Sequence, residues 1–294
     1  MEKLFTYPEE FRPLEVSIFR TTKYRTFSRR EKGVEADLDA RVKHFSDAFK
    51  IDGKPNDLGE RIIIQDERQI LIIYRASDSL LLLNKKNGFR TSIPEGTRLP
   101  EQKEAYEIAT NYLDQVGLST NFAKFKSFTY SKGAMFKAET KQPTLINSEA
   151  HVNFDFSLEN IPVIGPGAKI KVSIVEGDEV SGLIYYWRTP SKEETIPIIE
   201  PREALKRLTA DKSFKELSPD TASVKLYSIT LGYYAMSPTD FQRFLVPVYA
   251  IKGTVETKFL DPYNFTQHVV AVDMSLEEIK RRGVVDNPYK CLIF

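Results

Sequence analysis

The sequence predicts an α+β fold in which amphipathic helices pack on antiparallel sheet, and three observations lead to it. Apolar residues recur at helical spacing in three separate places. Each helical stretch is followed by short strand-like runs broken by Gly, Pro, Ser or Asp turns. The chain also carries 19 Phe and 14 Tyr in 294 residues, which favours strands over helices.

The first helix is expected over roughly 34–50, where Leu38, Val42, Phe45 and Phe49 make one stripe. RIIIQ (61–65), QILIIYRA (69–76) and SLLLLNK (79–85) follow as strands, so nearly continuously apolar that they should be covered on both faces or lie centrally. A turn-rich stretch, SIPEGTRLP (92–100), divides an N-terminal α+β unit, 1–98, from a second region, 99–294. There the pattern restarts: Ala105, Ile108, Ala109, Tyr112, Leu113 and Val116 form a helical stripe that ends at Gly117. Strands are expected near 124–130, 133–139, 150–158, 168–176 and 180–188, the last three separated by the Gly165-Pro166-Gly167 and Glu176-Gly177-Asp178 turns. A third, shorter helix starts at Pro201 and carries Ala204, Leu205 and Leu208. Strands near 224–234, 244–253 and 266–272 come next, and a Ser275–Glu278 capping box opens a last helical turn.

Composition excludes several function classes. A net charge of +1 gives no global field to attract nucleic acid or an anionic membrane. A single cysteine, Cys291, excludes an internal disulfide framework and a multi-cysteine zinc site. No apolar run approaches the roughly 20 residues of a transmembrane helix. The start, MEKLFTYPEEF, lacks the apolar core of a signal peptide, so the chain as given reads as soluble.

Several segments resemble a known family. "EQKEAYEIATNYLDQVGL", "VNFDFSLENIPVIGPGAKIKVSI", "GLIYYWRTPS" and "IIEPREALKRL", with the later "ITLGYYAMSPTDFQRFLVPVYAIKGTV", are similar to the PepSY-like and cystatin-like layout of bacterial envelope proteins. The likeness is to the YycH/YycI-type regulators of sensor histidine kinases and covers about residues 100–272. Asn160 stands where that family usually has Gly. The resemblance implies repeated units of a helix packed on curved antiparallel sheet, an interaction or inhibitory role, no catalytic residues, and an extracytoplasmic location if an anchor has been removed.

Each chemical signal has a plainer account beside it. His44, His151 and His268 show no HxH or HExxH spacing, so metal binding has no local support and no cofactor is expected. His151, Asn153, Asp155 and Ser157 alternate with Val152, Phe154, Phe156 and Leu158, which reads as the solvent side of a half-buried strand. The same row could instead do acid–base work in a pocket between helix and curved sheet, with His151, Asp155, Tyr185 and Trp187 as candidates. Arg20, Lys23, Arg25, Arg29, Arg30 and Lys32 surround Tyr24 and Phe27, but an acidic helix follows at once, so a solvated edge strand accounts for them better than single-stranded nucleic acid. Cys291-Leu-Ile-Phe matches a prenylation box, a lipidation reading that requires a eukaryotic enzyme. Asn264-Phe265-Thr266 is a glycosylation sequon only in a secreted eukaryotic chain. The expected function is therefore a non-catalytic interaction or regulatory module whose partner is another protein. The alternative is a cyclase- or isomerase-type enzyme with a small-molecule ligand.

Overall fold

The computed structural model describes residues 15–21, 32–88, 98–136, 143–211, 214, 221–281 and 292–293. The basic stretch 22–31 and Cys291 lie outside the described residues. Among the described residues fifteen strands and the helices follow one another as the α+β reading expects, with a large, mostly antiparallel sheet.

The first half of the sheet runs β2 (Asn56–Asp57), β3 (Arg61–Gln65), β4 (Gln69–Tyr74), β5 (Leu80–Asn84), β10 (Val180–Tyr186), β9 (Lys169–Ile174), β7 (Pro143–Leu158) and β6 (Ala123–Phe136), all antiparallel. Hydrogen bonding between β5 and β10 carries this sheet across residues 98–99. Two helices, α1 (Lys32–Phe49) and α3 (Gln102–Gln115), share one core cluster with it, while α2 (Lys85–Gly88) is a single turn after β5. Leu38, Val42, Phe45 and Phe49 of α1 and Ala105, Ala109 and Leu113 of α3 are all buried in that cluster, as the helical stripes require. Opposite them lies a row of aliphatics in cross-strand register: Ile64, Leu71, Leu82, Leu183, Val172 and Val152, none more than 4% exposed.

The second half is built on the long hairpin β12 (Thr221–Tyr234) and β13 (Phe244–Thr257), extended by β14 (Tyr263–Val270) and β15 (Leu292–Ile293). Helix α4 (Pro201–Ala210) buries Ala204 and Leu208 against Tyr249, Ile251, Val269 and Ala271. The other face holds Val246, Val248 and Val270 against β1 (Glu15–Arg20), β11 (Ser191–Pro197) and the short α5 (Leu276–Arg281). The Ser275 hydroxyl accepts the Glu278 amide at 3.2 Å, the first arm of the expected capping box.

The two halves meet at β8 (Ile161–Ile164), which pairs antiparallel with β7 and parallel with β12. The β7–β8 connection has only two central residues, Glu159 and Asn160, at φ 48° and 66°. Two positive φ values in succession are what a two-residue type I′ hairpin needs, and Asn tolerates that region without being Gly. The Gly165-Pro166-Gly167 turn then docks on the chain around Ala235 and Met236: a Cβ at Gly167 would lie 1.7 Å from the Met236 carbonyl.

Four sequence expectations are corrected. The stretch 124–139, expected as two strands, is one 14-residue strand to Phe136, in which a register shift between Ser131 and Lys132 absorbs the Ser-Lys-Gly segment and a second lies between Phe125 and Ser127. Strand β8 precedes the expected Gly165-Pro166-Gly167 turn and pairs with β7 and β12, not with β9, so 159–187 is not a simple three-stranded meander. Strands β1 and β11 were likewise not expected as such: β11 is almost wholly exposed and polar, so it shows no apolar alternation.

Candidate functional site

In β3, β4, β5 and β10 the apolar residues do not alternate with polar ones, so both faces of the sheet are apolar. The helices cover one. The opposite face presents Ile63, Ile72, Leu81 and Ile184 in one cross-strand row, with Ile70 and Leu83 in the next. All six are half-buried, and none belongs to a core cluster or packs on one. Neighbouring rows one residue apart are fully buried on the helix side, so the half-exposure here is a property of this face and not of a sheet edge. A third row adds Tyr74, which is buried at 7% exposure, and the half-buried Tyr186, whose rings meet edge to face at 5.7 Å. Among the described residues no core cluster includes these six aliphatics, and the single turn α2 comes close to β4, β5 and β10.

Further along the same face the register leads to a polar cluster on β6, β7 and β9. His151 is 5% exposed, with Nε2 2.5 Å from the Ser131 hydroxyl and Nδ1 3.0 Å from that of Ser173. Glu149 places a carboxylate oxygen 3.5 Å from Nε2 and accepts a hydrogen bond from Ser181. Burial, aided by the Lys171 charge, pushes the His151 imidazole down from its ordinary value to about 4. The ring is therefore neutral near pH 7, with one nitrogen donating and the other accepting between two serines. This corrects the reading of the row as solvent face: Asn153, Asp155 and Ser157 are half-exposed, but His151 is not.

A pH prediction follows from that cluster. The unfolded chain takes up a proton on this histidine below about pH 6.5, whereas the folded chain resists until about pH 4. The neutral ring's contribution is fully present above pH 6.5 and is lost as pH falls toward 4, by up to about 3 kcal/mol. His151→Gln should flatten urea stability between pH 6.5 and 4 relative to the parent. An unchanged slope would mean that His151 is not held neutral. His268, also shifted down by burial, supplies the residual slope.

The sheet separates the four proposed acid–base residues. His151 and Asp155 lie on the uncovered face, and Asp155 pairs with Lys126 at 2.8 Å. Tyr185 and Trp187 lie on the helix side: Trp187 is 3% exposed and stacks on Phe156 at 3.7 Å and 6°. Tyr185 lines an open pocket of about 360 Å³ between the helices and the strand ends, with Arg41, His44, Asp78, Ser119 and Thr189. Most of its polar groups are engaged internally. The Tyr185 hydroxyl donates to the Ser119 carbonyl at 2.9 Å, Arg41 donates to the carbonyls of Tyr74, Ser77 and Ser79, and Asp78 accepts the Thr189 amide. Burial, with the Asp78 charge nearby, pushes the Tyr185 hydroxyl well above its ordinary value. Among the described residues no group of three or more His, Cys, Asp or Glu is placed to hold a metal ion, and no helix is long and apolar enough to cross a membrane.

Neither the aliphatic row nor the pairing of Ser131 and Ser173 with His151 is visible as a motif in the sequence. The signal for the first was available in the doubled apolar pattern of three consecutive strands. The serines become partners of His151 only through cross-strand register.

No family model matches the chain, and no curated protein matches it. Among solved structures the fold is similar to that of an uncharacterized protein from Eubacterium rectale ATCC 33656, with 12% identity, a TM-score of 0.41, and 90% of this chain and 85% of that chain covered.

Proposed function

We propose that the protein is a non-catalytic interaction module of the regulatory or inhibitory kind, docking another protein on the uncovered face of β3, β4, β5 and β10. One observation carries this reading: six aliphatic side chains in register, half-buried, in no core cluster among the described residues. An apolar surface of that kind, continuous over four strands, marks a binding site on a soluble domain. The face is a better docking element than the free edge of β6. That edge carries Lys124, Lys126 and Lys132 and two register shifts, devices that discourage strand addition. The helix-then-strands order of α3 with β6–β10 and of α4 with β12–β14 is compatible with the PepSY/cystatin-like layout. Leu81→Lys combined with Ile184→Lys should leave the circular dichroism and melting temperature near parental values while abolishing co-purification of the partner from the source cells. Retained co-purification would overturn the assignment of the face.

The pocket beside Tyr185 favours a second reading, a small-molecule site between helix and sheet. A metabolite panel that raises the melting temperature of the parent but not of Tyr185→Phe would establish it. No shift with any compound would remove it.

A further inference from the structure

The charges around the uncovered face specify what it fits. Its aromatic row begins at Arg61, passes Tyr74 and Tyr186, and ends at Lys169, whose ammonium sits 5.4 Å above the Tyr186 ring. The aliphatic row ends at Lys171, directly across from Ile184. The apolar field thus has a cation on its β3 side and two on its β9 side, and none of the three makes an ion pair among the described residues. The carboxylates on this face are already engaged, Glu149 by Ser181 and Asp155 by Lys126.

Size narrows the choice further. Four strands spaced about 4.8 Å apart make the field roughly 15 Å long, and three rows about 6.7 Å apart make it roughly 13 Å wide. The dimension along the strands takes one helix of about two and a half turns at a rise of 1.5 Å per residue, and a diameter near 10 Å leaves its flanks facing the β3 and β9 sides. A second copy of the chain fits poorly. A two-fold axis for face-to-face packing lies in the interface plane, so it sets either Arg61 over Lys169 and Lys171 or each cation over its own copy. Both arrangements oppose like charges. A lipid surface fits poorly as well, because the aliphatic side chains are half-buried between their neighbours and do not protrude.

We infer that the uncovered face receives one amphipathic helix of a partner protein, apolar on its inner stripe and acidic on both flanks. The inference rests on the interaction reading above. The helix lies along the strands with its inner stripe crossing the Ile63–Ile72–Leu81–Ile184 row, so its flanking carboxylates reach Arg61 on the β3 side and Lys169 and Lys171 on the β9 side. This is helix-in-groove recognition, in which apolar contacts hold the helix and rim charges select it.

The probes are two stapled 14-residue peptides with leucines at helical i, i+3, i+4 and i+7 spacing, one with Glu flanks and one with Lys flanks. They are titrated against the full chain by fluorescence anisotropy. The Glu peptide should bind at least tenfold tighter than the Lys peptide and weaken as salt rises. Lys171→Glu, a surface change that leaves the core intact, should reduce the preference at least threefold, and Leu81→Lys should abolish binding of both. Equal binding of the two peptides, or Glu-peptide binding that survives Leu81→Lys, would overturn the inference, as would sedimentation with anionic phosphatidylglycerol vesicles or dimerisation of the free chain through this face. If neither peptide binds while the partner is still lost from Leu81→Lys/Ile184→Lys, the helix assignment fails and the docking face stands. If the partner is retained by that variant, the docking reading itself fails.

Discussion

Phe156→Ala is expected to lower the unfolding free energy by about 3–5 kcal/mol, the range for truncating a buried aromatic. Phe156 is 1% exposed and sits where three strands meet, paired with Ala123 on β6 and Val163 on β8. Its ring lies flat on that of Trp187, so its removal opens a cavity beside the only tryptophan in the chain. Two readouts should agree. The urea midpoint falls, and the folded-state emission, blue-shifted and poorly quenched by iodide in the parent, moves to the red. A midpoint within error of the parent would mean that the β7–β8 junction does not organise the core.

Arg188→Ala should be comparably severe. The side chain is 1% exposed and its guanidinium donates to the carbonyls of Met236, Ser237 and Asp240 at 2.9, 2.7 and 2.6 Å. Each carbonyl left without its donor costs about 1–3 kcal/mol, so a loss of at least ~3 kcal/mol is expected. Lysine is not a substitute, because one ammonium cannot reproduce a planar fork that reaches three acceptors. Arg188→Lys should therefore recover only part of the loss. Gln242 secures the same turn, donating to the Tyr234 carbonyl and accepting the Met236 amide, so its substitution should couple non-additively with Arg188. Chemical denaturation of the single and double variants checks both statements. Additive effects would show that the two side chains act independently.

Helices α1, α3 and α4 were legible in the sequence because each carries a stripe with a clear period, whereas the single turn α2, KKNG, has none. Pro201 opens α4 at the first helical position, and Gly117 follows α3 at φ 70°. The strands were legible where apolar residues alternate or run together, as in β3, β4, β5 and β9. They were not legible where the strand is an exposed edge. Strand β11, SKEETIP, is defined by its pairing with β1, some 175 residues away in the chain, and local pattern cannot see that partner. Strand β6 was split in two because Ser131-Lys132-Gly133 resembles a turn, whereas β7 pairs with it along its whole length and a bulge accommodates the excess.

Legibility of the functional surface followed the same division. The apolar doubling of RIIIQ, QILIIYRA and SLLLLNK predicts cover on both faces, and the structure supplies helices on one. His151 was read correctly as a member of a polar row but not as buried. Its environment depends on Ser131, Ser173 and Glu149, brought together by pairing of β6, β7 and β9. Asn160 shows the converse: a departure from the Gly usual in the resembling family becomes a tolerated left-handed residue once the two-residue hairpin is seen.

The proposed partner would lie over the face of β3, β4, β5 and β10. Site-specific photo-crosslinking in the source cells tests this most directly, with a benzophenone amino acid placed singly at Leu81, at Ile184 and at Glu193 on the exposed β11. One discrete protein adduct from Leu81 and Ile184, absent from Glu193, is the predicted result. Adducts that form at Glu193 but not at Leu81 or Ile184, or no adduct at either face position, would contradict it.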